Sequence, residues 1–388
     1  MSKRLPWLIA AACMLGMMIL GRTVPAAEPA DKDKAAIGEY RTLHSDILNE
    51  DRTVTVRFPT DYEDSDERYP VLYVLGGLSD ARLMWAASAM EDLDQRGKAP
   101  MMLIVVVDFV SGARDSRPIP IADRPNTGKA DDFLRFLTEE LRPFIDANYR
   151  TAGYNVLAGF SNTGLFSSYV CLRHTDAFDT YIAASPMISS CADYMTQLMH
   201  DVFASGRTLD TRLYMNYGSN DYNEIIEMMP QVVTLFEKDA PSDLKWTMEL
   251  IEDGGHVPYM TMYNGLGFLF FDWFYPKDQL QAGGLPALRT FYSDLSARYG
   301  FTVKVPNGHL DDLGFAYMQA GEHEKAIEVF TYFIEQYPKS AMAQFLLGET
   351  HRRKGDTELA RACFEKALEI NPTLDAARRR LQMLDEEG

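Results

Sequence analysis

The chain has 388 residues, of which 46% are hydrophobic, and its formal net charge at pH 7 is −18. This length exceeds what one core usually holds and predicts two domains. A strongly acidic chain repels nucleic-acid phosphates and anionic lipids, so neither is expected as a partner.

Residues 1–26 have the pattern of a secretory signal peptide. A basic start at Lys3 and Arg4 precedes an apolar run over 7–20, and small residues allow cleavage after Ala26. The sequence therefore predicts a secreted or periplasmic protein, with a flexible lead-in over 27–37. The alternative is an uncleaved anchor, in which case the chain would meet the membrane only through this segment.

Strand and helix patterns alternate over 38–276. Continuous apolar runs at 71–75 and 102–107 are typical of strands buried on both faces, and 130–147 has the spacing of an amphipathic helix. The alternation predicts a mostly parallel, doubly wound sheet, which binds ligands at the carboxyl ends of its strands. The other predicted strands are 40–48, 53–58, 154–158, 178–184, 212–217 and 245–251, and the other predicted helices are 162–173, 192–204, 224–238 and 258–274.

Paired glycines follow the third predicted strand, in Leu75-Gly76-Gly77-Leu78-Ser79. Glycines let backbone N–H groups face an oxyanion without obstruction by side chains. Gly77 or Leu78 is therefore a candidate donor to an oxyanion hole, and an ordinary tight turn is the alternative.

The segment Gly159-Phe160-Ser161-Asn162-Thr163-Gly164 lies between a predicted strand and a predicted helix. A serine in that position is typical of the nucleophile elbow, where a sharp turn exposes the hydroxyl. Ser161 is the candidate nucleophile and the Asn162 N–H a candidate oxyanion donor. The alternative is a purely structural turn serine, and Thr163 stands where the usual motif has glycine.

A serine nucleophile needs a base and an orienting acid. His256 follows the last predicted strand, where the base of such a site is found late in the chain. Asp221 follows the seventh predicted strand and is the first candidate for the acid, with Glu224 as the alternative. Asp221 could instead cap the next helix.

The C-terminal part repeats itself with a period of 348 − 314 = 34 residues, which is the tetratricopeptide period. We predict a connector over 277–306, then tetratricopeptide repeats with a capping helix over 307–388. The repeats either bind a protein or peptide partner, associate with themselves, or simply pack on the first domain. The repeated pairs are Gly314 and Gly348, Gly321 and Gly355, Ala326 and Ala360, Phe330 and Phe364, and Pro338 and Pro372.

Cysteine usage gives no framework of disulfides, because three cysteines remain after the signal segment. A Cys171–Cys191 pair stays open from the sequence. No spacing indicates a zinc or iron–sulfur site, and no metal or organic cofactor is expected.

Together these segments resemble the putative esterase family of α/β-hydrolases, which includes esterase D and the ferric enterobactin esterases. The likeness spans roughly residues 38–276, and members with C-terminal tetratricopeptide repeats exist. It implies the α/β-hydrolase fold and hydrolysis of carboxylic esters, with Ser161 as nucleophile and His256 as base. The segments that carry it are Tyr69 to Leu75, Phe133 to Thr151, Gly159 to Phe166, Val257-Pro258 and Tyr263 to Leu266.

The chain departs from that family at three places. Thr163 replaces a glycine, and Gly76 stands where aspartate is usual. An ungapped match would put Gly254 in the slot of the family histidine, so His256 requires a local shift of the loop.

The function expected from the sequence is hydrolysis of a small-molecule ester through a serine acyl-enzyme. An acyltransferase with the same residues is one alternative. A non-catalytic scaffold that presents the repeats to a protein partner is the other.

Overall fold

The computed structural model describes residues 38–63, 65–76, 80–108 and 110–387. The predicted signal peptide and lead-in lie outside the described residues. Within those ranges no helix has both the length and the apolar character needed to cross a membrane.

In the described part of the chain the strands form one eight-stranded sheet. The strands are Glu39–Ser45 (β1), Glu50–Arg57 (β2), Tyr69–Leu75 (β3), Leu103–Val107 (β4), Thr151–Phe160 (β5), Thr180–Ala184 (β6), Arg212–Gly218 (β7) and Lys245–Ile251 (β8). Their order is β1-β2-β4-β3-β5-β6-β7-β8. The pairs β1–β2 and β2–β4 are antiparallel, and all pairs from β4 to β8 are parallel, which confirms the predicted sheet.

Helices cover both faces of this sheet, so the buried strands β3 and β4 can be apolar on both sides. The helices of this part are Asp80–Gln95 (α1), Ala130–Arg135 (α2), Arg142–Asn148 (α3), Asn162–Arg173 (α4), Ala192–Ala204 (α5), Asn223–Asp239 (α6), Thr261–Leu269 (α7) and Leu280–Tyr299 (α8). One face of the sheet packs against α2 to α6, and the other packs against α1, α7 and α8.

Two predicted helices differ from the observed ones. The helix predicted over 130–147 is α2 and α3 joined by a π-helical segment, Phe136–Leu141, and a second π-helix is Gly112–Ser116. The helix predicted over 258–274 is only α7. It begins at Thr261 because both the N–H and the hydroxyl of that residue bond to the carbonyl of Pro258.

The repeats form two helix pairs and a final helix: Asn307–Gln319 (α9), His323–Gln336 (α10), Ala341–Lys354 (α11), Thr357–Ile370 (α12) and Asp375–Glu387 (α13). The repeated glycines lie where the helices of a pair touch. A Cβ atom on Gly314 would come within 2.5 Å of the Phe330 ring, and one on Gly348 within 2.7 Å of the Phe364 ring. Cys171, Cys191 and Cys363 are free thiols, so the open Cys171–Cys191 pair is not formed.

Candidate active site

Ser161 lies between the end of β5 and the start of α4, with φ 56° and ψ −116°. Left-handed φ is rare for a residue with a side chain, and surrounding contacts must hold it. Hydrogen bonds fix the Ser161 backbone from both sides. Its N–H donates to Ala184 O (2.9 Å), and its carbonyl accepts from the N–H groups of Met187 (3.1 Å) and Leu165 (3.0 Å). Ser161 is half-buried at this sharp turn.

The two flanking glycines are required by close backbone approach. A Cβ on Gly159 would lie 1.9 Å from the Thr163 carbonyl oxygen, and one on Gly164 would lie 2.8 Å from Ala184 O. Helix α4 therefore begins directly against the strand ends. Its first N–H groups have no helical carbonyl partner, and they form a place where an oxyanion can be bound.

The candidate acid and base are in direct contact. His256 Nδ1 lies 2.7 Å from Asp221 Oδ1. The Asp221 side chain is completely buried, whereas 24% of the His256 side chain is exposed. The Tyr222 ring lies over the imidazole, with 4.3 Å between ring centroids. Because Nδ1 faces the carboxylate, Nε2 is the nitrogen left to exchange a proton with a hydroxyl.

The loop that carries His256 bends sharply on both sides of it. Asp253 has φ 57° and Val257 has φ 58°, and a β-branched residue such as valine rarely adopts that conformation. The Asn220 N–H donates to Gly254 O (2.8 Å), which ties this loop to the turn that holds Asp221. The loop is thus bent on both sides of His256 and held to the turn of Asp221.

Glu224, the alternative acid, lies exposed in the first turn of α6. Asp221 has the contact with the imidazole instead. Asn162 is the first residue of α4, as its predicted role as oxyanion donor requires. Gly77 and Leu78 lie outside the described residues.

Sequence reasoning missed Ser185, a fully buried residue at the end of β6 with φ 43°. Its hydroxyl donates to Asp221 Oδ2 (2.5 Å) and accepts from the Val257 N–H (2.9 Å). Ala184 just before it and Met187 two residues after it hold the Ser161 backbone. Ser185 thus joins the turn of the nucleophile to the acid–base pair, and the only signal in the sequence was its place after a buried strand.

Arg82 of α1 lies against Gly76, one of the three departures from the family pattern. Its Nη1 donates to the Gly76 carbonyl (2.6 Å), and its guanidinium lies 4.7 Å from the centroid of the Phe160 ring. Burial lowers the pKa of this guanidinium. A Cβ on Gly76 would lie 1.6 Å from Arg82 Nη1. Arg82 therefore occupies the space that a side chain at position 76 would need.

A buried ion cluster supports the wall beside Asn162. A Cβ on Gly112 would lie 2.8 Å from the Asn162 side chain, so this π-helix touches the start of α4. Asp115 of the π-helix is buried and accepts from Arg52 Nη2 (3.0 Å) and Arg114 Nε (2.7 Å). Arg52 is buried as well. The pairing of these charges anchors the π-helix to β2.

The structure has a cavity away from the candidate residues. A cavity of about 860 Å³ opens between residues 65–68 and the segment 336–340, and none of the candidate residues lines it. In the described ranges no three His, Cys, Asp or Glu side chains are grouped so that they could hold a metal ion.

Two family models match segments of this chain. Residues 45–229 match the family model described as putative esterase, and residues 312–375 match a tetratricopeptide repeat model. Over residues 45–229 the chain is therefore similar to the putative esterase family. Both parts of the resemblance drawn from the sequence are thereby confirmed.

Two curated proteins that are similar to parts of this chain are siderophore esterases. The ferri-bacillibactin esterase BesA of Bacillus subtilis is 30% identical over 139 residues, which are 31% of this chain and 48% of the relative. The siderophore enterobactin esterase of Emericella nidulans is 38% identical over 77 residues, 19% of this chain and 24% of the relative. The match thus spans about half of the bacterial relative and a quarter of the fungal one.

Solved structures share the fold. An IroE-like serine hydrolase from Shewanella oneidensis has a TM-score of 0.64 at 24% identity, and the match covers 75% of this chain and 97% of that one. The siderophore hydrolase EstA from Aspergillus nidulans has a TM-score of 0.53 at 19% identity, with 63% and 98% covered. The α/β-hydrolase fold predicted from the sequence is confirmed.

Proposed function

We propose that this chain is a serine hydrolase that cleaves carboxylic esters through an acyl-enzyme. One observation carries the proposal. The strained turn of Ser161 and the hydrogen-bonded pair of Asp221 and His256 are linked through Ser185, in a fold whose relatives include named esterases. This combination supports the assignment of Ser161, His256 and Asp221 as nucleophile, base and acid of an acyl transfer.

In the first half of the reaction, His256 Nε2 takes the proton of Ser161 as Oγ attacks the ester carbonyl. Asp221 fixes the ring with Nδ1–H toward the carboxylate and stabilises the imidazolium. The Asn162 N–H at the start of α4 donates to the oxyanion of the tetrahedral intermediate. The imidazolium then gives its proton to the leaving alcohol, and the acyl group stays on Ser161.

In the second half a water molecule attacks the acyl-enzyme while His256 takes its proton. Collapse of the second tetrahedral intermediate releases the carboxylic acid, and the proton returns to Ser161. His256 Nε2 makes every proton transfer, and no group is oxidised or reduced. These steps therefore need only groups that the chain supplies.

The names of the two curated relatives support siderophore esters as substrates for this chain. Such esters are small-molecule substrates, in keeping with the class expected from the sequence.

We also propose that residues 1–26 direct the protein to the periplasm or to secretion. Amino-terminal sequencing of the protein recovered from the periplasm should begin at residue 27, and a start at Met1 would count against cleavage.

The main test is the turnover of 4-nitrophenyl acetate and butyrate by the wild type and by Ser161→Ala. The variant should lose turnover and should no longer react with a fluorophosphonate probe. Ser205→Ala is the matched control, because the hydroxyl of this exposed serine bonds only to its chain neighbours, the Val202 carbonyl and the Arg207 N–H, in the described structure. Equal turnover by Ser161→Ala and the wild type would remove Ser161 from the mechanism.

The same assay separates the alternatives. Product analysis with an added alcohol or sugar distinguishes transfer to that acceptor from transfer to water, because the same acyl-enzyme serves both reactions. A wild-type protein that neither turns over an ester nor reacts with the probe would favour the non-catalytic scaffold.

A further inference from the structure

Thr163 stands where the family motif has glycine, and it is fully buried. Its hydroxyl oxygen accepts the Phe160 N–H (2.8 Å). The hydroxyl also lies within donating distance of two carbonyl oxygens, those of Phe160 (2.9 Å) and Leu75 (3.1 Å). One side chain thus bonds to residues on two strands, β5 and β3.

These bonds occur just beyond the regular sheet. The ladder between β3 and β5 ends at the pair Val74 and Ala158. The backbone of Phe160 lies past that point, where regular pairing with β3 no longer holds it. The Thr163 hydroxyl connects the two strands beyond that pair, because it bonds to Phe160 at the end of β5 and to Leu75 at the end of β3.

The bridge spans the candidate nucleophile. Phe160 precedes Ser161 and Thr163 follows Asn162, so the bond between them closes a small ring around both residues. Ser161 has φ 56°, a conformation that persists only where surrounding contacts hold it. The bond from Phe160 to Thr163 adds to the backbone hydrogen bonds that Ser161 makes with Ala184, Met187 and Leu165. A glycine at position 163 would offer no side-chain group for this purpose.

We propose that Thr163 is a positioning residue, whose hydroxyl fixes the Ser161 Oγ and the Asn162 N–H in the geometry that the reaction needs. The proposal rests on the proposed function. It gives the threonine a role in the transition state, where small displacements of the nucleophile or of an oxyanion donor are costly.

Two variants with complementary changes test the proposal. Thr163→Val keeps the shape and removes the hydroxyl, and Thr163→Ser keeps the hydroxyl and removes the methyl. We expect Thr163→Val to lower kcat by about ten- to a hundredfold with KM nearly unchanged. Thr163→Ser should keep kcat within about threefold of the wild type. The rate of phosphonylation of Ser161 by a fluorophosphonate should fall in proportion to kcat.

A purely structural role predicts a different result. Thr163→Val would then lower the midpoint of thermal unfolding and the amount of folded enzyme, but the folded fraction would keep its kcat. Active enzyme is therefore counted by titration before kcat is calculated. If Thr163→Val does not fold, Thr163→Ala can be compared with Thr163→Ser. These two variants also differ by a single hydroxyl group, and neither adds a valine methyl.

The outcomes separate the two proposals. Wild-type enzyme without turnover or labelling would refute the proposed function, and the role of Thr163 with it. Active wild type, with Thr163→Val retaining kcat per active site, would refute the positioning role alone. Equal losses in Thr163→Ser and Thr163→Ala would also refute it, because the hydroxyl would then make no difference.

Discussion

Replacement of Asp221 by asparagine is the most discriminating perturbation of the acid–base pair. The buried carboxylate is surrounded by donors: the Ser185 hydroxyl (2.5 Å), the Tyr222 N–H (2.8 Å) and His256 Nδ1 (2.7 Å). A carboxylate can accept all of these bonds, whereas an amide has one oxygen and one NH₂ group. The NH₂ group of the asparagine side chain in Asp221→Asn would therefore face a donor.

The size of the effect follows from which donor it faces. If the amide NH₂ faces Ser185, that hydroxyl must turn and its proton loses its acceptor, which costs about 1–3 kcal/mol of folding free energy. If the NH₂ faces His256, the ring is held in the wrong tautomer. In either case the imidazolium loses its counter-charge, and kcat should fall by about 10³–10⁴-fold, or roughly 4–5.5 kcal/mol in the barrier.

The assay compares kcat for 4-nitrophenyl butyrate in Asp221→Asn and Glu224→Gln, with urea unfolding to show that both are folded. Glu224 is exposed in the first turn of α6, so its variant should keep kcat within about twofold. Retention of more than about a tenth of the wild-type kcat by Asp221→Asn would refute the assignment of the acid. A loss in Glu224→Gln as large as that in Asp221→Asn would refute it too.

Two further predictions concern stability. Asp115→Ala leaves the buried Arg52 guanidinium without one of its carboxylates and should lower the free energy of unfolding in urea by about 3 kcal/mol. The control Glu139→Ala breaks an exposed pair with Arg135 and should lower it by less than about 0.5 kcal/mol. Equal losses in the two variants would contradict the role of burial. Burial and the nearby Asp312 raise the pKa of Asp311 to about 6, so this carboxyl lowers stability as the pH rises through about 6. Asp311→Asn should therefore stabilise the protein by about 1–2 kcal/mol at pH 8, after allowance for solvent screening, and by close to nothing at pH 4; a gain independent of pH would contradict this reasoning.

The architecture could be predicted from the sequence because the apolar patterns match the layers. Strands β3 and β4 are buried on both faces, and they appear in the sequence as continuous apolar runs. The repeat could be predicted because its recurring residues lie at recurring contacts. Gly314 and Gly348 each face a phenylalanine ring where two helices touch. The ends of elements were less predictable. The start of α7, for example, depends on hydrogen bonds between Thr261 and Pro258 that no periodicity expresses.

The candidate site was only partly predictable, and the missing part has a common physical cause. Motif position led to Ser161, Asp221 and His256, each of which follows a strand of the sheet. Ser185 and Arg82 act through contacts with residues that are distant in the sequence, and neither belongs to a short motif. The bend after His256 was also unpredictable, because the β-branched residue that follows it rarely adopts a positive φ.

The contacts of the first repeat explain how only two repeats can be stable. A tetratricopeptide array normally needs neighbours that cover its ends. Here α8 and α9 belong to one apolar cluster with the sheet, to which Leu288 and Leu310 both contribute. Tyr292 and His309 lie in the same contact, with 3.0 Å between the hydroxyl and Nδ1, and burial lowers the pKa of His309. The neutral ring can then accept a hydrogen bond from the Tyr292 hydroxyl without a buried charge.

The other end of the array is covered from within the repeat region. Helix α13 places Ala377 and Leu384 against Ala360 and Phe364 of α12, in a separate small cluster. The array is therefore closed by the esterase domain on one side and by its own last helix on the other. Because the esterase core continues into the first repeat, a substitution that weakens α8 should destabilise both parts together, whereas one in α13 should affect the last repeat alone.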